Sequence, residues 1–147
     1  MASTSKPMAM EKLIQEPRDV RLCDALVTRI EKWHKGNLQL DGLNEGEQIV
    51  LLVYNSSGAV MECGFEEFVT LDFFGDGALT KTISAYRTIQ CPQAADILAE
   101  AVAMSAGSAR KNAPLDNAWD YAFYQRILHN LATYIRQNTS WFSHLNY

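Results

Sequence analysis

From Val20 to Trp33 apolar residues recur every three or four positions (Val20, Cys23, Val27, Ile30, Trp33), which lays one apolar stripe along a helix. Pro17 suits the first turn of that helix. His34 and Lys35 stand in its last turn, where the helix dipole favours positive charge, and Gly36 can take the left-handed conformation that ends it. Asn37 to Gly42 then reads as a connection, with Leu38 and Leu40 pinning it to the core.

The next segment is ambiguous. Asn44 and Glu47 have the spacing of a capping box and predict a helix carrying Ile49, Val50, Val53, Val60 and Met61. Ile49 to Tyr54, followed by Asn55-Ser-Ser-Gly58 and Ala-Val-Met, also has the pattern of a hairpin. A lone hairpin would have no sheet to join, and Glu45, Glu47 and Gln48 suit a first helical turn, so the balance falls to a helix kinked near Gly58.

Phe65 to Phe74 is the most aromatic stretch, and its Phe65, Phe68, Leu71 spacing between Gly64 and Gly75 predicts a short helix. Asp76 can cap a further helix facing inward through Leu79, Ile83 and Tyr86. Pro92, after Cys91, opens another with Ala95, Leu98, Ala101 and Val102 inside, closed near Gly107. Residues 108 to 115 form a loop of basic and small character. A last helix runs from about Asp116 to Gln137 with Trp119, Phe123, Ile127, Leu131, Tyr134 and Ile135 buried. Trp141, Phe142 and Leu145 in the final nine residues predict docking on the body or on a second subunit.

The pattern describes an all-α fold: one compact domain of five or six helices over residues 16–138, a flexible tail over 1–15, and an aromatic C-terminal tail over 139–147. A chain of 147 residues suits one core. A 48% hydrophobic content with 20% charged residues excludes a wholly disordered chain. No apolar run approaches the roughly 20 residues that cross a bilayer, and the opening residues lack the apolar core of a signal peptide, so a soluble protein is expected. Cys23, Cys63 and Cys91 have no metal-knuckle or redox-pair spacing and read as buried free thiols in a reducing, cytoplasmic setting.

Charge changes the picture in one respect. Residues 41 to 100 hold ten acidic groups against two basic ones, while residues 1–40 and 101–147 each carry two more basic groups than acidic. Such a field attracts a basic protein partner and repels nucleic acid, and Arg110 with Lys111 is too short a run to bind nucleic acid directly. Glu62, Glu66, Glu67, Asp72 and Asp76 are the candidate partner contacts. Glu62 and Glu66, four apart, have the spacing of an acid/base or metal pair, but Gly64 between them and the lack of further ligands favour a solvated acidic face. No catalytic or phosphate-binding signature is present, so neither an enzyme nor a cofactor is expected. His34, His129 and His144 read as surface or boundary residues. The alternative function is a small ligand-binding protein or enzyme whose apolar pocket is lined by Phe65, Phe68, Phe73 and Tyr86.

Several segments are similar to a known family: Glu62-Cys63-Gly64-Phe65, then Phe68, then Phe73-Phe74-Gly75-Asp76-Gly77-Ala78, then Ala85-Tyr86-Arg87-Thr88-Ile89 and Ala94-Ala95-Asp96-Ile97-Leu98, and finally Asp120-Tyr-Ala-Phe123-Tyr124. Over roughly residues 45 to 137 the chain resembles the family catalogued as domain of unknown function 4375, described as DNA-mimic-protein-19-like and found in bacterial proteins. The resemblance implies an all-helical fold and a role in competing for a DNA-binding protein. Cys63 stands where the family pattern tends to glycine or asparagine.

Overall fold

The computed structural model describes residues 9–71, 77–107 and 117–145, with backbone alone at 66, 67, 69–71 and 104–107. The described residues form six α-helices and three short 3-10 turns, with no strand among them. In chain order the helices are α1 (Met10–Ile14), α2 (Asp19–Trp33), α3 (Glu45–Leu71), α4 (Ala78–Thr88), α5 (Pro92–Gly107) and α6 (Tyr121–Gln137). None of them is long and apolar enough to cross a membrane.

Helix α3 is the centre, contacting α2, α4, α5 and α6. That position explains the run that also suited a hairpin: Val50, Leu51, Leu52 and Val53 are all buried because helices cover α3 on several sides, so no polar face is required. The bend falls at Gly64 rather than near Gly58. Gly64 has φ 81° and ψ 171°, outside helical geometry and in a region that a side chain strongly disfavours. Beyond the bend, Phe65 and Phe68 enter the core.

Helix α2 buries Leu22, Cys23, Leu26, Val27 and Ile30, and Val20 and Trp33 are each 45% exposed. The true stripe is therefore rotated from the one counted from Val20, because α2 contacts both α3 and α6 and Leu22 and Leu26 fill that contact. Gly36 ends the α2 region with φ 79°, as expected. In α4 the fully buried positions are Ala78, Thr82, Ala85 and Tyr86, with Leu79 and Ile83 half-buried at the edge. Pro92 opens α5, which buries Ala94, Ala95, Leu98 and Ala101. Helix α6 starts later than Asp116: Asp120 caps it, its carboxylate accepting from the Phe123 N–H at 2.8 Å.

Part of the segment expected to be a flexible N-terminal tail is helical, and the C-terminal segment packs on the domain, one of its two expected dockings. Within residues 1–15, expected to be a flexible tail, Met10–Ile14 forms α1 and buries Met10 and Leu13 against the core, since two apolar groups one turn apart find cover beside α2. At the other end, Thr139–Trp141 and Ser143–Leu145 form 3-10 turns that bury Phe142 and Leu145 in the chain's own core. Phe142 and Leu145, expected to dock on the body or on a second subunit, are thus covered by the chain itself. The expected loop at 108–115 and the Phe73–Asp76 turn lie outside the described residues.

Candidate functional site

Two features set the geometry around α3. At its N-terminus the capping box forms in full: the Glu47 N–H donates to Asn44 Oδ1 at 2.8 Å, and the Asn44 N–H donates to Glu47 Oε1 at 3.0 Å. The other carboxylate oxygen, Glu47 Oε2, accepts from His34 Nε2 at 3.0 Å and from His144 Nε2 at 3.1 Å. Glu47 is 2% exposed, so its two oxygens are satisfied by one backbone amide and two imidazoles in place of water. The Trp33 ring stands edge-on to His144 at 5.3 Å, and Asn44 Nδ2 donates to the Trp141 carbonyl at 2.8 Å.

These contacts join the end of α2, the start of α3 and the C-terminal turns, which gives the cluster a structural role. Among the described residues no group of three or more His, Cys, Asp and Glu side chains is arranged to hold a metal ion. His129 is likewise engaged, its Nδ1 2.8 Å from Asp19 Oδ2, while Arg136 holds Asp19 Oδ1 at 2.9 Å. Burial alone would raise the Asp19 carboxyl, but the His129 and Arg136 hydrogen bonds outweigh it and hold Asp19 below the usual carboxylate range.

The middle of α3 presents a different surface. A groove of about 1000 Å³ runs between the α2–α3 connection (Gly36 to Gln39) and the segment of α3 from Tyr54 to Glu62, with Tyr124 of α6 on its border. The Tyr54 hydroxyl donates to Asp24 Oδ1 at 2.5 Å, which fixes the ring at the groove wall. Burial and the hydrogen bond to Asp24 both keep that phenol protonated by pushing it above its ordinary value.

Of the residues that the sequence marked as partner contacts, Glu62 is exposed on this groove and has no ion pair among the described residues. Glu66 and Glu67 lie on α3 beyond the bend, with backbone alone described, and Asp72 and Asp76 lie outside the described residues. The helix is not continuous in geometry between Glu62 and Glu66, because Gly64 breaks it. Asp41, Glu45 and Glu100 are also exposed without an ion pair among the described residues, while Asp96 meets Arg87 at 3.3 Å. Among the described residues of the acidic segment, Glu47 alone is withdrawn into the interior.

Of the four residues named for the alternative apolar pocket, three are described, and all three are buried. Phe65 and Tyr86 are fully buried, Phe68 nearly so, and Trp119 packs edge-on against Phe65 at 5.2 Å and Tyr86 at 5.7 Å. The Tyr86 hydroxyl is satisfied by Ser56 Oγ at 2.7 Å, two polar groups paired within the core. Trp119 Nε1 is buried with no hydrogen-bond acceptor among the described residues, and the Phe65, Tyr86 and Phe123 rings stand edge-on to its indole. Phe73 lies outside the described residues.

Sequence reasoning read the capping box and missed what its carboxylate also does. The one available sign was the placement of His144 between Phe142 and Leu145, in a tail too apolar to remain in water.

Among known families, the model of the DMP19-like protein family matches residues 41–138. No curated protein and no solved structure matches the chain.

Proposed function

We propose that the chain, which belongs to the DMP19-like protein family, is a non-enzymatic protein-binding module that presents ordered carboxylates to a basic protein. The finer reading is a DNA-mimic-like role in the cytoplasm, in which the partner is a protein whose basic surface otherwise meets nucleic acid. The observation that carries this reading is that Asp41, Glu45, Glu62 and Glu100 are exposed and without ion pairs among the described residues. Glu66, Glu67, Asp72 and Asp76 are further candidate contacts by their place in the acidic segment of the sequence.

The physical gain lies in encounter. Unpaired carboxylates fixed on helices hold a negative potential without first breaking internal salt bridges, and they raise the association rate of a cationic partner by roughly tenfold to a thousandfold at low salt. Glu45 and Glu62 are 17 positions apart on α3, so at about 1.5 Å of rise per residue the acids extend over roughly 25 Å. A partner surface of matching length is therefore favoured over a single cationic side chain.

Capture from native extract at about 0.05 M and 0.5 M salt, followed by competition with duplex DNA for the captured protein, tests the reading. Binding should weaken with salt and with added duplex. Glu62→Lys and Glu100→Lys should slow association while changing dissociation little. Partners held with salt-insensitive affinity, and indifferent to both substitutions, would overturn it.

A further inference from the structure

We infer that the groove beside α3 seats an extended, lysine- or arginine-bearing segment of the partner. This deepens the proposed function and rests on its basic partner.

The shape comes first. At about 1000 Å³ and open to solvent, the groove is at the upper end of small-molecule sites and is not enclosed. Its floor includes Leu38 and Met61, and along it stand the carboxamides of Asn37, Gln39 and Asn55, which make no side-chain hydrogen bond among the described residues. An extended peptide brings an N–H and a C=O at nearly every residue. A carboxamide offers both a donor and an acceptor and can answer either.

Charge selects the side chains of that peptide. Among the described residues Glu62 is the one charged side chain lining the groove, and Asp24 stands behind the Tyr54 hydroxyl, so a phosphate or carboxylate ligand is repelled. Glu62, itself exposed, is the side chain that offers a cation its counter-charge there. Tyr54 and Tyr124 add ring surfaces over which an ammonium or guanidinium group is attracted.

Gly58 adds an independent observation. It lies within the helical part of α3, where glycine costs about 1 kcal/mol relative to alanine. A Cβ built there meets nothing within 4 Å. Packing does not require glycine at this position; its effect is to leave the groove wide.

The test uses an array of arginine- and lysine-bearing octapeptides, each paired with a version in which citrulline or norleucine replaces the cation, titrated into the isotopically labelled full chain. Binding should shift amides of 36–39 and 54–62, and the uncharged versions should bind at least about tenfold more weakly. Gly58→Phe should fill the groove and lower affinity by at least about tenfold while leaving the melting temperature unchanged or higher. Failure of every cationic peptide to bind, or shifts confined to other surfaces, overturns the inference. The two readings separate with the captured partner: if Glu62→Lys slows its association and Gly58→Phe has no effect, the groove is excluded and the acidic module stands. If neither substitution matters, both fall.

Discussion

Glu47 and His144 are 97 residues apart in the chain and 3.1 Å apart in the fold, with His34 on the same carboxylate oxygen. A single buried carboxylate therefore closes the first turn of α3 and fastens the C-terminal turns to the end of α2. Each imidazole meets it through Nε2, the nitrogen that carries the donated hydrogen.

Replacing Glu47 with leucine removes its half of the capping box and leaves two half-buried imidazoles and the Asn44 amide without their acceptor, while Asn44 Oδ1 can still accept from the backbone N–H of residue 47. The expected loss is about 2–4 kcal/mol in urea denaturation. Glu47→Gln should cost less, because its carbonyl oxygen can still accept from Asn44. A leucine variant within about 1 kcal/mol of the parent would show that the cluster contributes little to stability.

Gly46 meets the same tail through packing. A Cβ at this position would overlap the Cβ and Cγ atoms of Trp141, which are near the backbone and cannot swing aside. Gly46→Ala should therefore destabilise by about 1–3 kcal/mol although alanine is the better helix former. A gain in melting temperature would contradict the close approach.

Asp19 gives a pH dependence of defined sign. Its folded carboxyl lies below the ordinary value of 3.8, so its contribution is complete above that pH and is lost as the pH falls through the lower folded value. Asp19→Asn should cost on the order of 1–2 kcal/mol at neutral pH, and the difference from the parent should shrink as the pH falls below the ordinary carboxyl value of 3.8. A difference independent of pH would contradict the assigned contacts with His129 and Arg136.

The three cysteines should separate by reactivity. Burial pushes the Cys23 thiol up to about 12, and its Sγ lies 3.7 Å from the Leu128 carbonyl. Burial also raises Cys91, whereas Cys63 is exposed. A thiol reagent near pH 8 should modify Cys63 rapidly and reach Cys23 and Cys91 only as the protein unfolds. Rapid modification of two or three thiols in the native protein would contradict this burial.

Sequence alone determined the features governed by neighbouring residues. The Asn44–Glu47 cap, the Pro92 start, the left-handed Gly36 and the inward face of α6 all follow from contacts within a few positions, where spacing and side-chain chemistry suffice. For the candidate site, sequence supplied the excess of acids and the exposed Glu62, because a carboxylate without a nearby basic residue in the chain tends to stay in water.

The tertiary structure decided what depends on residues far apart. The central position of α3 turned the ambiguous Ile49–Tyr54 run into a helix covered on several sides, and packing of α2 against α3 and α6 rotated its buried face away from Val20. The groove exists because the α2–α3 connection passes beside the middle of α3 near Tyr124. Glu47 left the acidic surface when two histidines from distant segments came to meet it. Local pattern fixes which side chains can be buried, whereas the choice among them, and the pairing of buried charge, is made by which helices share an interface.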